Sequence, residues 1–157
     1  MRGTFSYGDY GVAIYTKKHV HILDSKNYVK PGVEIVHLTI KVCNIILNLL
    51  SIYKAPSTKL QIFLDLLRIP LHNLDTTQNI ICIGDFNIDA QKKTHTFTAL
   101  ETFMAQHKMF LINYQPTTIY GSTLDHIWTT NLPNTLSFGV NNCYWSDHLV
   151  TYLLLHH

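Results

Sequence analysis

Gly84-Asp85-Phe86-Asn87 closes the apolar run Asn79-Ile80-Ile81-Cys82-Ile83. Such a run, bounded by a glycine, reads as a buried strand. Its end delivers Asp85 and Asn87 to a sheet edge, and Gly84 lets the backbone turn or approach a ligand closely. Asp85 is then placed to orient or deprotonate a water, and Asn87 to donate to an anionic oxygen. An Asp-Asn turn after a strand is the commoner use of these residues, so the string decides little alone.

Two other strings share its character. Ser122-Thr123-Leu124-Asp125-His126-Ile127 puts Asp125 at the start of a strand, where a carboxylate leaving water needs a partner. Ser146-Asp147-His148 precedes the apolar run 149–155. His148 is the natural partner for Asp125, because a His that touches phosphate gains from a carboxylate fixing its tautomer. Neighbours in a strand point to opposite faces, so Asp147 is assigned to a metal and His148 to phosphoryl oxygens. Each string has an ordinary alternative: a turn cap at Gly121-Ser122, or a polar step before a core strand. Three such strings at strand ends favour one site. They offer hard oxygen ligands for Mg²⁺, a base for water and a His, which is what metal-assisted phosphodiester cleavage needs.

Outward from these strings, strands dominate. Residues 12–16 and 20–23 read as short strands, and Lys30-Pro31-Gly32 as a turn. Over 33–42, Val33, Ile35 and His37 alternate with Val36, Leu38 and Ile40, and 44–53 reads as a central strand joined to it by a hairpin near Cys43. Thr58-Lys59-Leu60-Gln61 has capping-box form. It opens a helix with Leu60, Phe63, Leu64, Leu67 and Leu71 on one face, which Pro70 should kink or end. A second helix is expected over 94–108, with Phe97, Leu100, Phe103, Met104 and His107 inward. Short strands follow at 109–113, 124–129, 136–140 and 149–155, with turns at 8–11 and 131–134. This pattern gives an α/β layered domain, two sheets packed together with helices outside.

At 157 residues with 46% hydrophobic and 14% charged content, the chain reads as a single domain, residues 1–157, with a substantial core. A formal charge of +2 argues against a broad electrostatic nucleic-acid surface but leaves room for a local groove. Cys43, Cys82 and Cys143 form no Cys-x-x-Cys pair, and Cys82 reads as a small buried hydrophobe. A reducing compartment, nuclear or cytoplasmic, is expected, with no secretory leader and no span. His156 and His157 read as a frayed tail.

The three strings resemble, in order, the Gly-Asp-Phe/Leu-Asn, Ser-x-Ile/Leu-Asp-x-Ile and Ser-Asp-His motifs of the endonuclease/exonuclease/phosphatase superfamily, the DNase I-like enzymes. Tyr53-Lys54-Ala55-Pro56 is similar to that family's Tyr-Arg-x-Pro segment, with Lys for Arg. Gly11-Val12-Ala13-Ile14-Tyr15 resembles the strand after its metal-binding Glu. The style is that of endonuclease domains of eukaryotic mobile elements. The resemblance implies a DNase I-like four-layer α/β/β/α sandwich and Mg²⁺ (or Mn²⁺) as cofactor. It gives Asp85, Asn87, Asp125 and His148 catalytic roles, Tyr53 a substrate contact and Asp147 the metal. Nucleic acid, DNA foremost, is the implied partner.

The chain departs from the family at its start. The family's first strands, carrying an Asn and the metal-binding Glu, find no match before Gly8. Glu34 and Glu101 are the only glutamates, and neither lies in such a motif. An incomplete metal site is therefore expected, and a sheet edge that a partner or upstream segment would complete. Two other functions stay open: an inactive remnant serving as a binding module, and a phosphatase for small phosphate esters or phosphoinositides.

Overall fold

The computed structural model describes residues 2–5, 11–42, 45–130 and 136–155. The expected turns at 8–10 and 131–134, the hairpin link at Cys43 and the tail at His156 and His157 lie outside them. Among these described residues the elements follow in chain order: β1 (Arg2–Phe5), β2 (Ala13–Thr16), β3 (His21–Lys30), β4 (Val33–Val42), β5 (Ile45–Lys54), α1 (Leu60–His72), β6 (Asn79–Asp85), α2 (His95–Gln106), β7 (Phe110–Leu111), β8 (Asp125–Thr129), β9 (Leu136–Asn141) and β10 (Val150–Leu155).

Six strands form the main sheet in the order β3-β4-β5-β6-β8-β7. Only β5 and β6 run parallel, with α1 as their crossover. The remaining strands make two antiparallel ladders, β1-β2 and β9-β10.

Alternation along each strand divides the core in two. Val33 and Ile35, Leu50 and Ile52, Ile80 and Cys82, and Trp128 face both helices, meeting Phe63, Leu67, Leu71, Phe97, Leu100 and Met104. Leu38, Ile40, Leu47, Ile81 and Ile127 face the other way, toward Ile14, Phe138 and Leu153 of the small ladders. The molecule is thus a mixed α/β domain with a large sheet between helices and a second, smaller β layer, the DNase I-like arrangement. Cys82 sits in the helix-side core, and burial pushes its thiol pKa up.

Several local expectations differ from the structure. β1 pairs with β2 and was not read as a strand. β3 is ten residues long rather than a short strand at 20–23. It is an edge strand with nearly every side chain exposed, so backbone pairing to β4 builds it and leaves no apolar alternation to read. α1 starts without the capping box. Thr58 turns its hydroxyl to the Gly32 carbonyl at 3.1 Å, Gln61 bonds Asp65, and Lys59 becomes an N-cap with no side-chain bond. Pro70 does not end α1; it lies buried in the last turn, and the helix closes two residues later.

β6 carries the constraint that positions the site. Gly84 has φ +145°, and a Cβ there would overlap the Ile52 backbone of β5. No other residue fits this approach. We expect Gly84→Ala to destabilise the fold by about 3 kcal/mol, the scale of backbone strain combined with overpacking. Chemical denaturation measures it; an unchanged midpoint would show that β6 can retreat from β5 freely.

Candidate active site

Strand register builds the site. Glu34 pairs with Tyr53, Tyr53 with Asp85, and Asp85 with Asp125, so four residues from β4, β5, β6 and β8 form one row across the sheet. Directly paired residues share a face. This row lies on the face toward the small ladders, because its flanking residues Val33, Ile52 and His126 belong to the helix side. It ends with two carboxylates on adjacent strands, which have different hydrogen-bond partners.

Asp85 is half-buried, and Asn87 folds back on it. Asp85 Oδ1 accepts from the Asn87 backbone N–H at 2.9 Å, and Oδ2 accepts from Asn87 Nδ2 at 2.8 Å. The same Nδ2 also donates to the Lys54 carbonyl at 2.9 Å, which fixes the amide orientation because both acceptors are oxygens. Asn87 takes a left-handed φ of 47°, which Asn tolerates. Burial raises the Asp85 pKa, and the Asp125 charge adds to that, against the lowering by its bonds to Asn87.

Asp125 makes the expected bond to His148: Oδ2 lies 2.9 Å from Nδ1. Thr117, fully buried, holds this pair in place. Its hydroxyl accepts from the Leu124 and Asp125 amides at 3.0 Å each, and its carbonyl accepts from Leu149 N–H at 2.8 Å. Asn113 Nδ2 donates to the Asp125 carbonyl at 2.8 Å, and its Oδ1 accepts from Ile127 N–H at 2.6 Å. Burial alone would lower the His148 pKa, but the bond to Asp125 and the charges of Asp125, Asp85 and Asp147 raise it on balance.

Asp85, Asn87, Asp125 and His148 therefore come together, and Tyr53 stands beside Asp85 in the row. Asp147 lies next to His148 on irregular backbone with its side chain exposed, close enough for its charge to act on the imidazole.

Three residues of this region were not singled out in the sequence. His126 is fully buried; its Nε2 donates to the carbonyls of Ile88 (2.8 Å) and Thr123 (3.1 Å), and Nδ1 accepts from Trp128 Nε1 at 3.3 Å. It stacks on Phe86, with ring centroids 4.8 Å apart. Burial lowers its pKa to about 4, so the ring is a neutral brace between the loops after β6 and before β8. Its alternation with Trp128, opposite Asp125 and Ile127, was the available signal. Glu34 is fully buried, with Oε2 accepting from Val12 N–H at 3.2 Å and Oε1 without a partner among the described residues. Lys54 is 3% exposed, and its ammonium donates to the Ala55 carbonyl at 3.0 Å.

Among the described residues, no three His, Cys, Asp or Glu side chains cluster closely enough to enclose a metal ion. Asp85 and Asp125 already hold Asn87 and His148, which leaves Asp147 as the exposed carboxylate beside them. Such a donor set does not make a closed cage. It fits an open site of the Mg²⁺ kind, in which one or two carboxylates are joined by waters and substrate phosphate.

The model of the Endonuclease/Exonuclease/phosphatase family matches residues 3–148. No curated protein sequence matches significantly. Among solved structures, the endonuclease domain of TRAS1, a telomere-specific non-LTR retrotransposon, is similar with a TM-score of 0.77 and 18% identity, over 98% of this chain and 77% of that one. The human Nocturnin catalytic domain gives 0.67 and 16%, over 99% and 72%. The mannosyl-6-phosphatase Bt3783 of Bacteroides thetaiotaomicron gives 0.64 and 13%, over 94% and 71%. At these identities the likeness establishes the fold.

Replacing Asp125 by Asn should lower the His148 pKa, because the amide no longer stabilises the imidazolium. A raised folded-state pKa contributes stability below the unfolded value of 6.5 and loses it as pH rises through the folded value. Asp125→Asn should therefore cost stability chiefly on the acid side. NMR titration of the His148 ring in both proteins decides it; identical pKa values would remove Asp125 from this role.

Proposed function

The chain belongs to the Endonuclease/Exonuclease/phosphatase family, and from that premise we propose that it hydrolyses phosphodiester bonds in nucleic acid, DNA foremost. The observation that carries this reading is the register that sets Asp85 beside Asp125 while Asp125 holds His148 at 2.9 Å. Two neighbouring carboxylates thereby receive different tasks. Asp85, with its pKa raised by burial, is the better placed to take a proton from an attacking water. Asp125 orients His148 and favours its protonated form, and the Nε2 edge of the ring faces the phosphate as charge builds on its oxygens.

Asn87 holds Asp85 in its resting geometry with both side-chain N–H groups engaged. On substrate binding it exchanges one of these bonds for a phosphoryl oxygen. Tyr53, next to Asp85 in the row, contributes its hydroxyl to the same group. Members of this family generally use a divalent ion. Mg²⁺ or Mn²⁺ held by Asp147 and the substrate phosphate would stabilise charge on the scissile group.

Nucleic acid is favoured over a small ester by the surface beside His148. Ile119 N–H bonds the Asp147 carbonyl at 3.0 Å, which ties the loop bearing Tyr120 to the loop bearing Tyr144 and Trp145. These three rings are 79%, 90% and 87% exposed. Exposed rings next to a phosphate site suit unstacked bases, at about 1–3 kcal/mol per stacked base. No helix among the described residues is long and apolar enough to cross a membrane.

The test is nicking of supercoiled plasmid with Mg²⁺, alongside a small phosphate monoester. We expect slow nicking, because Asp147, the exposed carboxylate among the described residues of the site, holds the ion weakly. It should fall by about 10²–10⁴-fold in Asp85→Ala and His148→Ala, the usual range for losing an acid–base group. Equal nicking by wild type and Asp85→Ala would contradict the assignment, and turnover of the monoester alone would move the substrate to small esters.

A further inference from the structure

On the helix side of the sheet, behind Asn87, lies a second polar pocket of about 380 Å³. Lys54, Thr58, Asn87, Asp89, Thr94 and Thr96 contribute to its wall. Its position follows from parity. Lys54 pairs with Val33 in the β4-β5 ladder and so shares the helix-side face with it, while Tyr53 and Asp85 look the other way.

Three sources of positive potential meet there. Lys54 is almost fully buried, and its ammonium gives one hydrogen to Ala55 and forms no ion pair among the described residues; burial lowers its pKa, and only the more distant charge of Asp85 opposes that. The described residues offer no second acceptor for this ammonium, which has three hydrogens to give. A buried ammonium in that state needs an anion or a full set of acceptors. The second source is the N-terminus of α1. Since Thr58 is drawn to Gly32, no side chain caps α1, and its first turn carries no acid. The Leu60 and Gln61 amides thus remain open to a ligand. The third is the N-terminus of α2, capped through Phe97 N–H by Thr94 but also without an acid in its first turn. Each helix start adds roughly half a positive charge.

Asp89 is the one acid in the wall, and its charge is already answered. Its Oδ1 accepts from the Thr123 and Gln91 amides, and Oδ2 pairs with Lys92 at 3.3 Å.

We propose that this pocket binds a phosphoryl anion, held by the Lys54 ammonium and the open amides at the start of α1 and α2. It is separate from the cleft of Asp85 and His148 and communicates with it through Asn87, whose amide bonds the Lys54 carbonyl and the Asp85 carboxylate. The anion is either free phosphate or a terminal phosphate of a nucleic-acid strand whose chain continues into the cleft. The proposal stands whether or not the cleft hydrolyses phosphodiesters.

The experiment titrates inorganic phosphate into ¹⁵N-labelled full-length chain and follows the Leu60, Gln61 and Thr96 amides. Phosphate should shift them in wild type and equally in His148→Ala, and Lys54→Gln should weaken binding by about tenfold or more. Thr96→Asp is a second variant that guards against misfolding. It suits a helix start by itself, but it places a carboxylate at the pocket and should weaken phosphate similarly. A dinucleotide with a 5′-phosphate is compared with the same dinucleotide lacking it. Tighter binding of the phosphorylated form than of inorganic phosphate identifies a strand terminus as the ligand; equal or weaker binding identifies the free ion. The proposal is overturned if wild type shows no shift, if Lys54→Gln and Thr96→Asp respond like wild type, or if His148→Ala abolishes the shifts while Lys54→Gln keeps them.

Discussion

The contact of Gly84 with the backbone of Ile52 sets the register on which the site depends. β6 lies against β5 too closely for any side chain at that position. This closeness fixes Asp85 beside Tyr53, and the β6-β8 ladder then fixes Asp125 beside Asp85. A one-residue slip in a strand would turn its functional side chain to the helix face. The fold opposes that slip with apolar residues on both faces, Ile80 and Cys82 toward the helices and Ile81 toward the ladders. The geometry of the candidate site is thus a consequence of core packing. The polar braces of Thr117, Asn113 and His126 secure only the last ångströms.

Electrostatics then separates two similar groups. Asp85 and Asp125 are neighbours of like charge, which by itself would disfavour ionising both. The imidazole of His148 bonds Asp125, while Asp85 accepts from the backbone and side-chain N–H groups of Asn87. Burial raises the Asp85 pKa, although the bonds to Asn87 and the nearby His148 oppose that rise. One member of the pair becomes a candidate base and the other an orienting group, although the sequence gives both as Asp at a strand end.

Much of this was legible in the sequence because it rests on strong local signals. The apolar runs of β5 and β6 mark central strands, and the three strings at strand ends mark the site. The Asp125–His148 pair follows from the needs of a carboxylate leaving water. What escaped reading depends on tertiary neighbours. β3 has no apolar pattern because its strand character comes from β4. The capping box at Thr58 looked complete, but the Gly32 carbonyl competes for its hydroxyl. Glu34 looked like an ordinary strand start, and only the register reveals it as the first member of the row ending in Asp125. Lys54 read as a stand-in for Arg, whereas the structure buries it beneath two helix starts.

In the proposed mechanism Asp85-Asn87 and Asp125-His148 address one phosphate. The most direct measurement is an NMR titration with a hydrolysis-resistant phosphorothioate dinucleotide that lacks terminal phosphates, reading the Asn87 side-chain amide and the His148 ring together. Both signals should move along the same binding curve, since Asn87 gives up an internal bond to the group that His148 contacts. Movement of His148 with Asn87 unchanged, or two separate binding curves, would contradict it.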